Sequence, residues 1–385
     1  MCEKADRPWA DLPRRAEKTC SPACIHGRRG VSENHERELR DTAAPRDRVP
    51  ERRRRPEPDA ASVRRTPMRV RFWGTRGSIP VSVMSDIIRE KLRHALTLAL
   101  RAGLRDETQV NEFISRLPFA VNGTYGTNTS CVQIDTGGDE YIVCDAGTGI
   151  KPLGESVQSR LEPGRTATWH VFLSHLHWDH IQGFPFFAPA YVPGNRIVVY
   201  GCHPDLSTVF TTQQAQPFFP VSLEAMPATI EFVQLDAESS YEINGVSVSI
   251  HKQMHPGDSF GYRFEADNRR IVYSTDSEHK ARLRKPDYPF LDFCQEADLL
   301  IFDAQYGFAE TQTLKEDWGH SSNILGVELA KDAGVRHLCL FHQEPSFNDW
   351  ELDAFLKDTR HYERMYRKSI LLQISMAYDG LDIDV

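Results

Sequence analysis

Short apolar runs, separated by polar residues and glycines, recur through most of this chain. Segments such as EYIVCDAG, WHVFLSH and DLLIFDA are rich in β-branched and aromatic residues, and polar or turn residues bound them. That pattern is typical of buried β-strands. Helical segments lie between the strands, most clearly at SNILGVELAKDAG. Many strands in two sets, with helices outside them, predict two packed sheets whose outer faces are covered by helices.

Residues 82–117 have a different periodicity. The stretch SDIIREKLRHALTLALRAG places apolar residues at helical spacing, with Ser85 as an N-cap candidate and Gly103 as a terminating residue. A second, shorter helix is predicted at ETQVNEFISRL. Because both helices fall between two strand regions, we interpret residues 82–117 as a helical insert over one edge of the body.

Residues 1–66 show almost no apolar periodicity and are rich in Arg, Glu, Pro and Ala. Such a segment buries too little apolar surface to offset the entropy of ordering, so we predict a disordered tail. An RNA- or partner-binding arm and a solvated extension both fit it. The tail holds 17 Lys/Arg and 12 Asp/Glu, a net charge of +5, and the whole chain carries −8, which leaves −13 for the remainder. An acidic body repels polyanions.

The composition is that of a globular protein, with 40% hydrophobic and 26% charged residues. No apolar run approaches the roughly 18 residues that cross a bilayer. The first residues lack the continuous apolar segment of a secretory signal, and their acidic residues argue against an organelle transit peptide. These features predict a soluble, cytoplasmic protein without a membrane segment.

Histidines and aspartates cluster where predicted strands end. The segment SHLHWDH follows the apolar run HVFL directly, and single residues of the same kinds follow three later strands. The complete set is His175, His177, Asp179, His180, His255, Asp276 and His342. Because strand ends can meet at one edge of a sheet, these side chains can converge on one site. Seven ligands exceed the needs of one tetrahedral ion and suit two divalent ions, Zn²⁺ first and Mn²⁺ or Fe²⁺ as alternatives.

The segment HLHWDH matches the HxHxDH signature of the metallo-β-lactamase superfamily, and the order of the later ligand candidates also matches that family. The chain resembles the family over residues 67–385, apart from the insert, and these residues would form one hydrolase domain. The resemblance implies an α/β protein with an αββα sandwich fold. The ligands it implies are His175, His177 and His255 for a first metal and Asp179, His180 and His342 for a second, with Asp276 as the bridge.

Three further motifs, GTRGSIP, YGTNTSCV and DAGTGI, are similar to a phosphodiesterase branch of the family. That branch holds tRNA 3′-end-processing nucleases and phosphoribosyl cyclic phosphodiesterases. Its members carry another histidine before a Ser/Thr pair, and GHSS fits this pattern. His320 is therefore a catalytic candidate that steadies a phosphoryl oxygen or protonates the leaving oxygen. Asp145 is a candidate to support the ligand histidines, and Asp303 is a candidate to orient His320.

The resemblance thus implies a metal-dependent hydrolase in which hydroxide generated between two metals attacks phosphorus, with Asp179 as a second catalytic candidate that orients it. The body is acidic, and we find no Gly-rich basic arm of the kind by which nucleases of this branch grasp tRNA. We therefore predict a small cyclic phosphate or nucleotide diester as substrate rather than nucleic acid. RNA processing, hydrolysis of a lactone or thioester, and a non-catalytic metal-binding module remain alternatives. A homodimer is also left open, and no organic cofactor is expected.

Two other features have a simpler interpretation. His203, His251, His279 and His337 fall outside the ligand pattern and are predicted to be structural or exposed. The segment GFPFFAPAYVPG, directly after the metal motif, is aromatic and rich in proline. It fits a wall of the substrate pocket, where a base could stack, and it fits core packing equally well.

Overall fold

The computed structural model describes residues 68–138, 140–280, 288–311, 313–366 and 371–385. The predicted tail at residues 1–66 lies outside the described residues. The strands are β1 (Arg69–Gly74), β2 (Cys131–Asp135), β3 (Glu140–Cys144), β4 (Thr168–Phe172), β5 (Arg196–Gly201), β6 (Thr229–Gln234), β7 (Ser240–Ile243), β8 (Val246–Gln253), β9 (Ser259–Ala266), β10 (Arg269–Ser274), β11 (Leu299–Asp303), β12 (His337–Phe341), β13 (Gln373–Met376) and β14 (Asp382–Asp384). The α-helices are α1 (Ser85–Ala102), α2 (Val110–Arg116), α3 (Phe119–Asn122), α4 (Ile150–Gln158), α5 (Trp178–Ile181), α6 (Leu206–Gln213), α7 (Pro289–Cys294), α8 (Phe308–Thr311), α9 (Asn323–Asp332) and α10 (Asp349–Met365).

The strands form two mixed seven-stranded sheets. One has the order β14-β1-β2-β3-β4-β5-β6, and the other has the order β13-β12-β11-β10-β9-β8-β7. In the first sheet β3 to β6 run parallel, and in the second β10 to β13 do so. Helices α4, α5 and α6 supply residues to the core outside the first sheet, and α7, α9 and α10 supply residues to the core outside the second. The predicted αββα sandwich is therefore confirmed.

Alternation of side chains along the central strands explains why three apolar cores form. In β4, Phe172 packs between the sheets, whereas Trp169 and Val171 pack outward. In β12, Phe341 packs between the sheets, whereas Leu340 packs outward. Successive strand residues point to opposite faces, so a strand covered on both faces must be apolar at nearly every position. The continuous apolar runs in the sequence reflect this double burial.

The segment predicted as an insert contains helices, with one correction at its start. Helix α1 begins at Ser85 itself, and the N-cap residue is Met84, which makes no side-chain capping bond, so the expected Ser85 cap is wrong. Gly103 ends the helix, as predicted, and it adopts the left-handed conformation (φ 66°). Lys91 fixes α1 to the body through Asp349 and the carbonyls of Ala120 and Gly123. No residue of α1 is fully buried, and one of its faces exposes apolar side chains.

None of the helices in the described parts of the chain combines the length and the hydropathy needed to cross a bilayer. Helix α1 is among the longest, with 18 residues, and it carries charged side chains along its length. The cytoplasmic location stays a prediction.

The fold brings several strand ends to one edge of the sandwich. Strands β3 and β4 are parallel neighbours, and so are β10, β11 and β12. Strand β8 runs in the same direction as β10, because each is antiparallel to β9. All the ligand candidates follow the carboxyl ends of these strands, so the topology places them at a common edge.

Candidate active site

The loop after β4 supplies four of the seven ligand candidates. The strand ends at Phe172, and α5 begins at Trp178 with His177 as its N-cap residue. His175, Asp179 and His180 are buried, whereas the ring of His177 reaches solvent. This short loop turns its histidines and Asp179 toward the residues that follow β8, β10 and β12.

A first group of ligand atoms comes from three histidines and Asp276. The Nδ1 atom of His177 lies 3.1 Å from Nε2 of His255. The Oδ2 atom of Asp276 lies 3.6 Å from Nε2 of His175 and 3.8 Å from Nε2 of His255. These are the residues that the resemblance assigns to the first metal, with the carboxylate beside them.

A second group forms around the other oxygen of Asp276. Its Oδ1 atom lies 3.2 Å from Nε2 of His180 and 3.3 Å from Nε2 of His342. The Oδ2 atom of Asp179 lies 3.2 Å from each of the same two nitrogens. The two oxygens of Asp276 thus face different groups, which is the arrangement that a bridging carboxylate requires.

The donor sets fit divalent metal ions. Ligands at about 2.0–2.1 Å from a tetrahedral ion lie about 3.3 Å from one another, close to the spacing within each group. The buried Nε2 atoms of His175 and His180 have no hydrogen-bond partner among the described residues. Buried polar atoms rarely lack a partner, so each of these two nitrogens is a candidate to bind a ligand. Imidazole and carboxylate groups suit Zn²⁺ and similar ions.

Protonation favours ligation at the first group. Burial lowers the pKa of His175, and it also lowers the pKa values of His177 and His255, so these rings are neutral near pH 7. Burial opposes ionisation of Asp276, but His342, His180 and His175 hold its pKa well below the usual range. In the second group, burial acts to lower the pKa of His180, but the neighbouring carboxylates have the larger effect, and the pKa is raised. A metal that binds His180 would therefore have to displace a proton.

Asp145, the predicted supporting carboxylate, receives four hydrogen bonds. Its oxygens accept from the backbone N–H and hydroxyl of Ser174 at 2.7 and 2.8 Å, and from the hydroxyl of Tyr273 at 2.6 Å. The fourth donor is Nδ1 of His180, at 2.7 Å. A proton held on Nδ1 leaves Nε2 of His180 free for a metal, which is how a supporting carboxylate fixes a ligand histidine. Sequence reasoning missed Tyr273 and Ser174, whose residue types carry no motif.

Two glycines allow close approach to ligand histidines. Nδ1 of His255 donates to the carbonyl of Gly319 at 2.9 Å, so in the neutral ring its Nε2 carries the lone pair that a metal could bind. Gly319 has φ 83°, and a Cβ atom there would lie 2.3 Å from that Nδ1. A Cβ atom on Gly77 would lie 2.6 Å from the ring of His342. Gly77 of GTRGS and Gly319 of GHSS therefore leave room for the rings of two ligand candidates.

His320 lies beside both ligand groups and pairs with Asp303, as predicted from the sequence. Nδ1 of His320 lies 2.9 Å from Oδ2 of Asp303, and both side chains are buried. The His320 ring stacks on that of His342 at 5.2 Å between centroids. Burial lowers the pKa of His320, but the Asp303 charge and hydrogen bond outweigh it and raise that pKa to about 9. His320 can also join His255 and Asp276, or His342 and Asp303, as a metal ligand.

Backbone strain marks the same site. Asp145, Asp276 and His342 all have positive φ, between 42° and 62°, a region that non-glycine residues rarely adopt. Ser78 is a fourth case, with φ 60°, and its N–H donates to Oδ2 of Asp179 at 2.7 Å. The motif GTRGSIP pointed to this loop, but its backbone contact with Asp179 was not foreseen.

The residues that the sequence placed outside the site lie elsewhere. His279 stacks on Phe302 in the core, and His337 bonds to Ser375. His203 donates to backbone carbonyls of the loop after His255, and His251 pairs with Glu238. In the aromatic segment after the metal motif, the side chains of Phe184 and Phe187 are fully buried in the outer core of the first sheet, which agrees with core packing.

The model of the Beta-lactamase superfamily domain matches residues 140–343, which hold all seven ligand candidates and His320. The chain belongs to this superfamily. The prediction of a metal-dependent hydrolase with the metallo-β-lactamase fold is thereby confirmed. A related protein, Ribonuclease Z of Oceanobacillus iheyensis, is 22% identical over 243 residues, which cover 49% of this chain and 76% of that protein.

Solved structures agree with the family at the level of the fold. The metallo-beta-lactamase fold protein YhfI from Bacillus subtilis has a TM-score of 0.54 and 18% identity, and the match covers 82% of this chain and 98% of that one. Zn²⁺-bound PqqB from Methylobacterium extorquens has a TM-score of 0.54 and 15% identity, over 82% of this chain and all of that one.

Proposed function

We propose that this chain is a phosphodiesterase with two divalent metal ions that cleaves a small cyclic phosphate or nucleotide diester. The observation that carries the proposal is the buried His320–Asp303 pair, set against two groups of metal-ligand atoms. A cation site alone would serve carbonyl and phosphoryl substrates equally. A protonated imidazole beside it supplies a hydrogen-bond donor to a phosphate oxygen, which phosphodiester cleavage needs.

His175, His177 and His255 would hold one ion, Asp179, His180 and His342 would hold the other, and Asp276 would contact both. Bound divalent cations supply Lewis acidity, which activates water and neutralises charge on phosphoryl oxygens. Zn²⁺ is our first choice because the ligands are mainly imidazoles, and Mn²⁺ or Fe²⁺ are the alternatives.

The side chains themselves orient the reactants. The N–H of Ser78 and the ring of His342 engage Oδ2 of Asp179. We assign the other oxygen, Oδ1, to accept a hydrogen bond from the attacking water. His320 holds a proton on Nδ1 toward Asp303, so its Nε2–H is available to the phosphoryl or leaving oxygen. Asp145 fixes the ring of His180 and takes no part in proton transfer.

Metal-loaded protein is expected to hydrolyse bis(p-nitrophenyl) phosphate and a nucleoside 2′,3′-cyclic phosphate and to leave a lactone intact. Chelation should remove the activity, and added Zn²⁺ or Mn²⁺ should restore it, because the cations activate the water. The measurement is initial rate against substrate concentration, with metal content determined on the same sample. Lactone turnover without phosphodiester turnover would contradict the proposal, and absence of all turnover with full metal loading would favour the non-catalytic module.

An RNA-processing nuclease is the second candidate, favoured by the similarity to Ribonuclease Z. Residues 67–385 are acidic, with a net charge near −13, which opposes binding of a long polyanion. The same assay separates the two proposals when a precursor tRNA is included. Cleavage of the RNA with higher kcat/KM than that of the cyclic nucleotide would select the nuclease.

We further propose a homodimer that pairs the exposed apolar face of α1 with its copy. Ile88, Leu92, Leu96 and Leu100 follow one another at four-residue spacing and are 48–83% exposed. An antiparallel pair would match Ile88 with Leu100 and Leu92 with Leu96, and would bring the acidic first turn near the basic last turn of the partner helix.

The double substitution Leu92→Glu and Leu96→Glu is expected to convert a dimer into a monomer, because four carboxylates, two from each helix, would be buried at the contact. Sedimentation velocity measures the change. Leu314→Glu, at an exposed leucine elsewhere, is the matched control and should leave the mass unchanged. A wild-type monomer at micromolar concentration would contradict the proposal.

A further inference from the structure

An apolar cavity lies directly beside the metal-ligand loop. Its volume is about 380 Å³, and its walls include Leu176, Trp178, Ile181, Val209, Thr212 and Phe218. None of the described residues that line it carries a charge. Sites of this size and lining accept the apolar part of a small ligand.

The chain itself ties this cavity to the candidate active site. Leu176 lies between His175 and His177, and Trp178 lies between His177 and Asp179. Adjacent Cα atoms are about 3.8 Å apart, so these two lining residues are direct chain neighbours of ligand candidates. The opposite wall comes from α6 and the residues after it. One short loop therefore joins the cavity to the candidate active site.

Two aromatic residues that line the cavity are largely exposed to solvent. The side chain of Trp178 is 63% exposed, and that of Phe218 is 72% exposed. In contrast, Phe184 and Phe187, in the segment that follows the same loop, are fully buried. Large aromatic surfaces left in water at the wall of a cavity mark a place where a ligand can complete the packing.

We propose that this cavity binds a planar aromatic group attached to the phosphate of the substrate, with Trp178 and Phe218 as the residues that contact the ring. The inference rests on the proposed function and narrows its substrate to diesters that carry a nucleobase or an aryl group. Because none of the described lining residues is charged, the cavity favours an aromatic ring over a second phosphate group. Hydroxyl groups at one wall, from Thr208 and Thr212, suit a ring with polar edge atoms.

The test measures binding by isothermal titration calorimetry to metal-loaded protein, so that it does not depend on turnover. Two matched pairs of phosphate monoesters differ only by a ring: phenyl phosphate against methyl phosphate, and adenosine 5′-monophosphate against ribose 5-phosphate. In the wild type the ring should tighten binding by about tenfold or more in at least one pair, as stacking on aromatic side chains does. The pair that shows the larger gain distinguishes an aryl ester from a nucleobase.

Within each pair, the ratio of the two Kd values measures the gain from the ring. Trp178→Ala and Phe218→Ala should reduce this ratio to near one, while the affinity for methyl phosphate or ribose 5-phosphate stays the same. Trp178→Phe should retain most of the gain, because it keeps a ring. Phe186→Ala is the matched control, since Phe186 is also an exposed aromatic but lies outside the lining residues, and it should change nothing. Equal ratios in wild type and both alanine variants would overturn the inference. Ring-dependent binding without any phosphodiester turnover would instead overturn the proposed function and leave the aromatic site standing.

Discussion

Asp276→Asn is expected to lower phosphodiesterase activity by more than about 10³-fold. For comparison, loss of one hydrogen-bond donor at a reacting oxygen lowers kcat by roughly 10²–10³-fold. Asp276 is 2% exposed, and its two oxygens lie 3.2–3.8 Å from the Nε2 atoms of four histidines. An amide of the same shape removes the negative charge that both cations would share. Metal affinity should fall by at least about 100-fold, since loss of a mere supporting residue already costs about 10–100-fold. Metal content per chain, measured with kcat, checks this.

Thermal stability provides a second readout for the same variant. Saturating metal should raise the Tm of the wild type, because a ligand that binds only the folded state stabilises it, and this rise should be smaller in Asp276→Asn. Asp267→Asn is the matched control. Asp267 lies in the turn between β9 and β10 with φ 51°, a conformation that asparagine tolerates well. Two bound metals and unchanged activity in Asp276→Asn would refute the bridging assignment.

The sandwich could be predicted from the sequence because its central strands are apolar on both faces. In β11, LLIFD, every residue is buried, so the run stands out without any knowledge of its neighbours. The ends of strands could also be predicted from the sequence, since His175 and His342 follow such apolar runs closely. The start of α1 could not be predicted, because a serine is acceptable both as an N-cap and as the first helical residue, and the backbone dihedral angles place the N-cap at Met84 and the first helical residue at Ser85.

Part of the candidate site could likewise be predicted from the sequence, and part could not. The ligand candidates carry titratable side chains at family spacing, so the motif indicates them. The contacts of Ser78 and Tyr273 depend on a backbone N–H and on one hydroxyl that reaches across from the other sheet, and neither leaves a pattern in the sequence. The exposure of Trp178 and Phe218 could not be predicted from the sequence either, because aromatic residues in such segments are more often buried in a core.

His320→Ala is expected to lower kcat for a nucleoside 2′,3′-cyclic phosphate by about 10²–10⁴-fold, the usual contribution of a positioned general acid. The leaving ribose oxygen must gain a proton, whereas p-nitrophenolate departs without one. If His320 protonates the leaving oxygen, bis(p-nitrophenyl) phosphate will lose much less activity than the cyclic nucleotide. If His320 steadies a phosphoryl oxygen instead, both substrates will lose activity to a similar degree. Asp303→Asn should reproduce part of the loss, because Asp303 holds Nδ1 of His320 at 2.9 Å.

Metal content decides whether His320 acts on the substrate or serves as a ligand. Its ring lies close enough to His255 and Asp276, and to His342, to join either metal group. Because Nδ1 is engaged by Asp303, we expect His320→Ala to retain the wild-type amount of metal while kcat falls. His361→Ala, at an exposed histidine on α10, is the control for removal of an imidazole, and its metal content and kcat should match those of the wild type. Loss of one metal together with activity in His320→Ala would make His320 a ligand and transfer the role of proton donor to another group.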